Sequence, residues 1–238
     1  MLVIIKKWNL VLLTLIMLIV VCGAGLLVRP SNAVQVSAVP GFGKRIVLDA
    51  GHGEPDGGAV GSSGVMEKEL NLKITKFLQA YLEQGGMEVV LTRADDSGIY
   101  DGGRRNIKQK KRTDIHNREK LMNHSDADLF VSIHMNKFTD ARYSGPQVFY
   151  SANHAQSKLL AEEVQKAMIS GLAPESAREV KKAGKEIYLL KQAKLPAILI
   201  ECGFLSDSRD EKLLLDEDYQ KQVAWSIYCG IVQYFAAG

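Results

Sequence analysis

Two histidines and two glutamates, spaced widely along the chain, have the residue types expected of a hydrolytic metal site. They are His52, Glu67, His134 and Glu201. Two imidazoles and one carboxylate can hold Zn²⁺ and leave a fourth position for water, and a further glutamate can take the proton of that water. If the four side chains converge in space, the chain is a hydrolase. The fold must therefore bring distant segments of the sequence together.

The segments that carry these residues alternate between strand-like and helix-like patterns. Strands are predicted over 45–50, 88–92, 128–134, 147–150 and 195–202, and helices over 67–84, 113–123, 156–169 and 219–235. This alternation predicts an α/β fold in which helices cover both faces of a mostly parallel sheet.

The same topology predicts where the four residues lie. In an open parallel sheet, ligands bind beyond the carboxyl ends of the strands. His52 follows the first predicted strand, His134 ends the central one and Glu201 lies near the end of the last apolar one. Glu67 begins the first helix, whose N-terminus should face the same edge. We therefore expect all four groups on one rim of the sheet.

Taken singly, each residue has an ordinary structural interpretation. A histidine that ends an apolar strand is more often a hydrogen-bonded core residue than a ligand, and a first-turn glutamate is favourable at any helix N-terminus. Glu201 is more informative because a carboxylate after an apolar run is costly to bury without a partner, such as metal-bound water or a cation. Glu69 is an alternative ligand to Glu67, although helix geometry directs it elsewhere.

The glycine-rich segment around His52 has a competing interpretation as a phosphate-binding loop. It matches neither G-x-G-x-x-G nor the lysine-containing P-loop, and no helix is predicted directly after it. Its glycines would instead let the loop pass close to a ligand or a metal. Asp49 could orient an imidazole or could fix the loop.

A thiol nucleophile is the competing catalytic hypothesis, with Cys202 served by a histidine. Cys202 alternates to the opposite face of its strand from Glu201, so the two side chains cannot easily face one site. The remaining histidines are predicted to lie at the surface: His116, His124 and His154.

Residues 1–29 predict a membrane anchor or a secretory signal. No charged residue occurs from Trp8 to Val28, and Lys6 and Lys7 precede this apolar run. The run can cross a bilayer and exceeds a usual signal core of roughly 7 to 15 residues, which favours an uncleaved anchor. The positive-inside tendency then places the domain at the extracytoplasmic face of the membrane. Cleavage at 31–33 or 36–38 would instead secrete it.

After this segment, residues 30–43 are predicted to form a linker, and residues 44–238 are predicted to form the catalytic domain. Lys6, Lys7 and Arg29 account for the net charge of +3 and leave 27 basic and 27 acidic residues in the domain. This balance argues against nucleic acid as a partner, because a nucleic-acid-binding domain needs a basic surface. The basic run 104–112 predicts a solvated loop, with contact to an anionic polymer or to phospholipid head groups as the alternative.

Several separated motifs make the domain resemble the zinc-dependent N-acetylmuramoyl-L-alanine amidases of the type called amidase 3. The resemblance extends from Arg45 to Tyr234, and its marks are IVLDAGHGEPDGGAVG, VMEKELNL, VVLTRADD, DADLFVSIHMN, SGPQVFY and LPAILIECGFLSD. It implies one Zn²⁺ held by His52, Glu67 and His134, with Glu201 as the catalytic glutamate.

The resemblance also implies a reaction. This is hydrolysis of the amide between the lactyl group of N-acetylmuramic acid and the L-alanine of the peptidoglycan stem peptide. Zinc would polarise the carbonyl and lower the pKa of its water, and Glu201 would pass the proton to the leaving amine. The alternatives are a zinc exopeptidase acting within the stem peptide and an inactive, tethered peptidoglycan-binding protein.

The proportions of the chain are most similar to those of the sporulation and germination-specific cortex amidases. These strip stem peptides from cortex peptidoglycan so that muramic-δ-lactam can form. No cell-wall-binding repeats flank the domain, so targeting or activation would depend on the membrane anchor or on an accessory protein. The segment 135–145 is short for the blocking helix that regulates some relatives, which predicts a site open to substrate.

Overall fold

The computed structural model describes residues 39–103, 106–138, 143–173 and 175–237, together with residues 8, 11–12 and 14–18 near the N-terminus. By its internal contacts the chain divides into two units, 1–38 and 39–238. The described residues of the first unit are helical and exposed. Most of the predicted anchor, the two candidate cleavage sites and most of the predicted linker lie outside the described residues. Among the described helices, none combines the length and apolar character that crossing a membrane requires.

The second unit is built from six strands and six helices within the described ranges. In chain order they are β1 (Arg45–Ala50), α1 (Glu67–Gln84), β2 (Glu88–Leu91), α2 (Ile107–His124), β3 (Leu129–Asn136), β4 (Gln147–Tyr150), α3 (Gln156–Leu172), β5 (Lys181–Lys182), α4 (Tyr188–Gln192), β6 (Ala197–Phe204), α5 (Ser208–Leu215) and α6 (Glu217–Ala237). The alternation confirms the predicted α/β class.

The strands form one sheet in the order β2-β1-β3-β6-β4-β5. β1, β2, β3 and β6 are parallel, and β4 runs antiparallel to β6 and parallel to β5. The sheet is therefore mixed, because β4 reverses direction. A parallel return needs a crossover of about a dozen residues or more, usually a helix. The segment 137–146 between β3 and β4 is too short to provide one.

Helices cover both faces of the sheet, as predicted. On one face, Leu48, Val131 and Ile200 pack with the buried residues of α1, α3 and α6. On the other, Val47 and Phe130 pack with the buried residues of α2 and α4. Successive side chains of a strand point to opposite faces, so strands covered on both sides are apolar throughout. This double burial makes the sheet a rigid base for the loops at its edge.

The largest departure from the predicted elements is the start of α2. The sequence predicted a solvated loop over 104–112 and a helix from residue 113, but the helix begins at Ile107. Asn106 caps it, with Gln109 completing a reciprocal capping box. Capping therefore extends the helix into a basic stretch that has almost no apolar periodicity. The short elements β5, α4 and α5 were not predicted.

Candidate active site

His52 lies in the loop that leaves the carboxyl end of β1. Its backbone has φ of 63°, a left-handed conformation that is uncommon for a residue other than glycine. The adjacent Gly51 leaves no room for a side chain, since a Cβ there would overlap the ring of His134. Such backbone strain persists only where the surroundings enforce it, and it often marks a functional site.

The structure brings His52, Glu67 and His134 together. His52 Nε2 lies 3.2 Å from Glu67 Oε1, and His134 Nδ1 lies 2.9 Å from the same oxygen. The two imidazole rings are edge to face, with centroids 5.1 Å apart. One candidate ligand atom from each residue lies within 4.8 Å of the other two. Two imidazole nitrogens and a carboxylate oxygen at this spacing can hold a metal ion.

Backbone and side-chain donors hold the Glu67 carboxylate in place. The N–H of Ala59 donates to Oε2 at 2.8 Å, and the N–H of Met135 donates to Oε1 at 3.1 Å. Asn71, one turn further along α1, donates to Oε1 at 3.3 Å. Glu67 is the first residue of α1 and is buried. Its orientation is therefore set before any metal binds.

Asp56 orients the ring of His52. Its Oδ2 lies 3.0 Å from Nδ1, which leaves Nε2 directed at Glu67. Burial lowers the pKa of His52, but hydrogen bonds to Asp56 and Glu67 outweigh burial and raise that pKa to about 9. The hydrogen bond from His52 also holds the pKa of Asp56 well below its usual range. A carboxylate that fixes the tautomer of a histidine is a common partner of metal ligands.

Glu201 lies beside His134, because the two residues are register partners in the parallel pair of β3 and β6. Both strands continue past the predicted ends, and their register shifts between His134 and Asn136. Glu201 Oε2 is buried and has no hydrogen-bond partner in the part of the chain that the structure describes. Burial raises the pKa of Glu201 to about 7, although the electrostatic interaction with His134 opposes the rise.

The orphaned oxygen and the neighbouring donor set together fit a bound metal ion and its water. A buried carboxylate oxygen without a partner is costly and calls for an explanation. A cation held by the three candidate ligands, together with a water molecule, would satisfy it.

Two buried arginines position the His52 loop, and neither is among the residues predicted from the sequence. Arg118 donates to the carbonyls of Ala50 (2.8 Å) and His52, and Arg93 donates to those of Ala50 (2.8 Å) and Gly51 (3.0 Å). Carbonyls in such a loop have no strand partner, so the guanidinium groups supply the missing donors. Arg93 follows β2, and Arg118 lies within α2. Only the tertiary fold brings these two side chains together under the His52 loop.

Asp49 fixes this network rather than an imidazole. Its carboxylate accepts from Arg118 (2.6 Å), Thr92 (2.8 Å) and Ser132 (2.5 Å). Burial acts to raise the pKa of Asp49, but the Arg118 charge and the hydrogen bonds outweigh it and lower the pKa. Of the two roles considered for Asp49, the structure supports loop fixing.

The remaining candidates from the sequence lie apart from the cluster. Glu69 is exposed on α1, and Cys202 is buried in the core, where desolvation raises the pKa of its thiol well above the usual value. Its burial argues against the thiol-nucleophile hypothesis. His116, His124 and His154 are partly or fully exposed. Within the described part of 135–145 no helix occurs.

Comparison with known proteins identifies the family. The family model for N-acetylmuramoyl-L-alanine amidases matches residues 46–233. The chain belongs to this family. It is 38% identical over 198 residues to the germination-specific N-acetylmuramoyl-L-alanine amidase of Bacillus subtilis (strain 168), covering 83% of this chain and 82% of that protein.

Solved structures agree with this assignment. The CwlD amidase from Clostridioides difficile, in complex with the GerS lipoprotein, is similar with a TM-score of 0.79 and 42% identity. The match covers 82% of this chain and 100% of that one. An N-acetylmuramoyl-L-alanine amidase from Clostridium difficile 630 has a TM-score of 0.70 and 32% identity, covering 82% of this chain and 98% of that one. The protein is an amidase that hydrolyses the bond between N-acetylmuramic acid and L-alanine in peptidoglycan, as the resemblance predicted.

Metal binding should release a proton from His52. Because its pKa is about 9 in the metal-free site, His52 is protonated at pH 7 and must lose that proton to become a ligand. Zinc affinity should therefore fall about tenfold per pH unit for each proton released as the pH is lowered below 9. Isothermal titration calorimetry with Zn²⁺ in buffers of different ionisation enthalpy measures this release. The variant His124→Gln should behave like wild type, and the absence of proton release at pH 7 would contradict the prediction.

Replacing Arg118 with methionine should destabilise the domain severely. The substitution leaves the buried Asp49 carboxylate without its cation, which costs about 3–5 kcal/mol of unfolding free energy. Urea denaturation measures this cost, with Lys120→Met as an exposed control on the same helix. The double variant Asp49→Asn/Arg118→Met should lose less than the sum of the two single losses. Full additivity would show that the pair is not coupled.

Proposed function

We propose that the amidase uses one Zn²⁺, held by His52, Glu67 and His134, and that Glu201 carries the proton. The observation that supports this most directly is the meeting of three metal-ligand types within 4.8 Å beside a buried carboxylate oxygen that lacks a partner. Imidazole and carboxylate ligands with an open position are typical of catalytic zinc. When bound, the ion supplies Lewis acidity that polarises the scissile carbonyl and makes water more acidic.

Glu201 then acts first as a base and afterwards as an acid. One carboxylate oxygen takes a proton from the attacking water as the oxygen–carbon bond forms at the lactyl carbonyl. The carboxyl group returns that proton to the amide nitrogen as the carbon–nitrogen bond breaks, which leaves the free amino group of L-alanine. Burial raises the pKa of Glu201 to about 7 in the metal-free site, and this desolvation makes the carboxylate a stronger base toward water.

We further propose that this reaction serves spore-cortex maturation at the extracytoplasmic face of the membrane, or outside the cell if the N-terminal segment is cleaved. The germination-specific relative from Bacillus subtilis supports the role. The complex of the C. difficile CwlD amidase with the GerS lipoprotein supports an accessory protein for targeting or activation. Removal of stem peptides would leave muramic acid free to form muramic-δ-lactam.

Digestion of purified peptidoglycan tests the catalytic proposal. Wild type should release stem peptides that begin with L-alanine, and chelation should abolish release. Glu201→Gln should lose at least about 10²-fold in kcat, the usual contribution of general acid–base catalysis, while keeping its zinc. Mass spectrometry identifies the products, and metal analysis verifies the zinc content.

The matched control is Glu69→Gln, which removes an exposed carboxylate from the same helix as Glu67 and should leave the rate unchanged. Shortened stems that remain attached to the glycan would favour an exopeptidase. Products that form equally well with chelator would rule out the zinc mechanism. A sample without any product is tested again with the accessory protein added.

The cortex role predicts a change in spore chemistry. Spores that carry only Glu201→Gln should contain at least about tenfold less muramic-δ-lactam than wild type, because a loss of about 10²-fold in rate limits stem removal. Chromatography of digested cortex measures the lactam, with Glu69→Gln spores as control. Normal lactam content in Glu201→Gln spores would assign the enzyme to another peptidoglycan.

A further inference from the structure

A cavity of about 140 Å³ opens directly beside the candidate metal ligands. His52 and His134 form one wall, and Tyr100, Leu189 and the first turns of α2 form the others. A water molecule occupies about 30 Å³ of liquid volume, so the cavity can take a carboxylate with the carbon atoms that carry it. A substrate bound at the metal site would have this cavity as its immediate neighbour.

Four carboxylates line the cavity, and each is already paired with a cation. The pairs are Asp49 and Asp114 with Arg118 (2.6 and 2.7 Å), Asp56 with Lys111 (2.7 Å) and Glu54 with Lys68 (2.5 Å). Pairing weakens their repulsion toward an incoming anion, although Arg118 serves two of them and Lys68 also binds Asp96. The same ion pairs engage Arg118 and Lys111, so the charges of these two lining residues are already matched by carboxylates.

Lys110 is the cation of the lining whose ammonium group is not paired with a carboxylate of the described residues. Its Nζ lies 4.7 Å from the centroid of the Tyr100 ring, and no carboxylate among the described residues lies within ion-pair distance of it. An aromatic face holds an ammonium group without using its three donors. The half-buried position of Lys110 strengthens any charge interaction it makes relative to open solvent.

The two halves of the substrate differ in charge. The lactyl carboxyl of muramic acid is consumed in the scissile amide and its N-acetyl group is neutral, whereas the peptide carries free carboxylates. We propose that this cavity is a subsite for the peptide half and that Lys110 binds a stem-peptide carboxylate there. The inference depends on the proposed amidase function and adds a specificity residue to it. It also explains why a lysine of the basic run 104–112 faces the site.

Two preparations of the same peptidoglycan test the subsite. In one the stem carboxylates are free, and in the other they are converted to amides with carbodiimide and ammonium. Wild type should cleave the free form with about tenfold higher kcat/KM, the effect of one charge-assisted hydrogen bond. Lys110→Met should lose this preference and retain wild-type kcat/KM on the amidated form. A merely structural lysine would lower both values together.

Lys108→Met is the matched control, because it removes a charge from the same turn of α2 at an exposed position outside the cavity. It should keep the tenfold preference. The subsite is overturned if Lys110→Met keeps the preference, if wild type has none, or if Lys108→Met loses it equally. Wild type that releases no L-alanine-terminated stems from either form, even with the accessory protein added, would instead overturn the proposed function and, with it, this inference.

Discussion

The buried carboxylate of Glu67 is the interaction on which the geometry of the site depends. A carboxylate removed from water is costly unless charge-assisted hydrogen bonds replace its hydration. Glu67 finds such partners in His52, His134 and the backbone N–H groups of Ala59 and Met135. These come from the loop after β1 and from β3, while Glu67 itself begins α1. Burial acts to raise the pKa of Glu67, but the hydrogen bonds with His134 and His52 outweigh burial and hold that pKa well below the usual range. Satisfying one charge therefore joins three segments of the chain at the place where a metal would bind.

Beneath this carboxylate, a second set of buried charges supports the loop that carries His52. Arg93 and Arg118 pair with carbonyls of that loop, and Asp49 balances Arg118. The arrangement explains how a histidine keeps a left-handed backbone conformation. Functional side chains need supporting residues whose own positions are fixed, and here ion pairs and hydrogen bonds provide that support. Because each of these buried groups is the partner of another, the network tolerates the loss of any one of its residues poorly.

The order of the strands places the candidate metal ligands and Glu201 on neighbouring segments of the sheet edge. His52 lies in the loop after β1, His134 lies in β3, and Glu201 lies in β6, the strand next to β3. His134 and Glu201 thus lie on adjacent parallel strands of a sheet whose interior is buried on both faces, while Glu67 begins α1. The cavity that contains Lys110 lies on the His52 side, where its charge is suited to the peptide half of the substrate. With a metal bound by the candidate ligands, such a site would combine a rigid metal centre with recognition by residues of a neighbouring helix.

Local patterns in the sequence predict the α/β class, the main strands and helices, and the four residues expected at one site. Apolar strands covered on both faces and amphipathic helices have periodicities that are local properties of the chain. The rule that ligands bind at the carboxyl ends of strands then placed His52, Glu67, His134 and Glu201 on one rim. The folded chain, by contrast, shows that β4 reverses, that α2 begins at Ile107, and that Arg93, Arg118 and Lys110 surround the site. Their contacts join residues distant in sequence, such as Arg118 and Asp49, and no local pattern encodes which buried charges will meet.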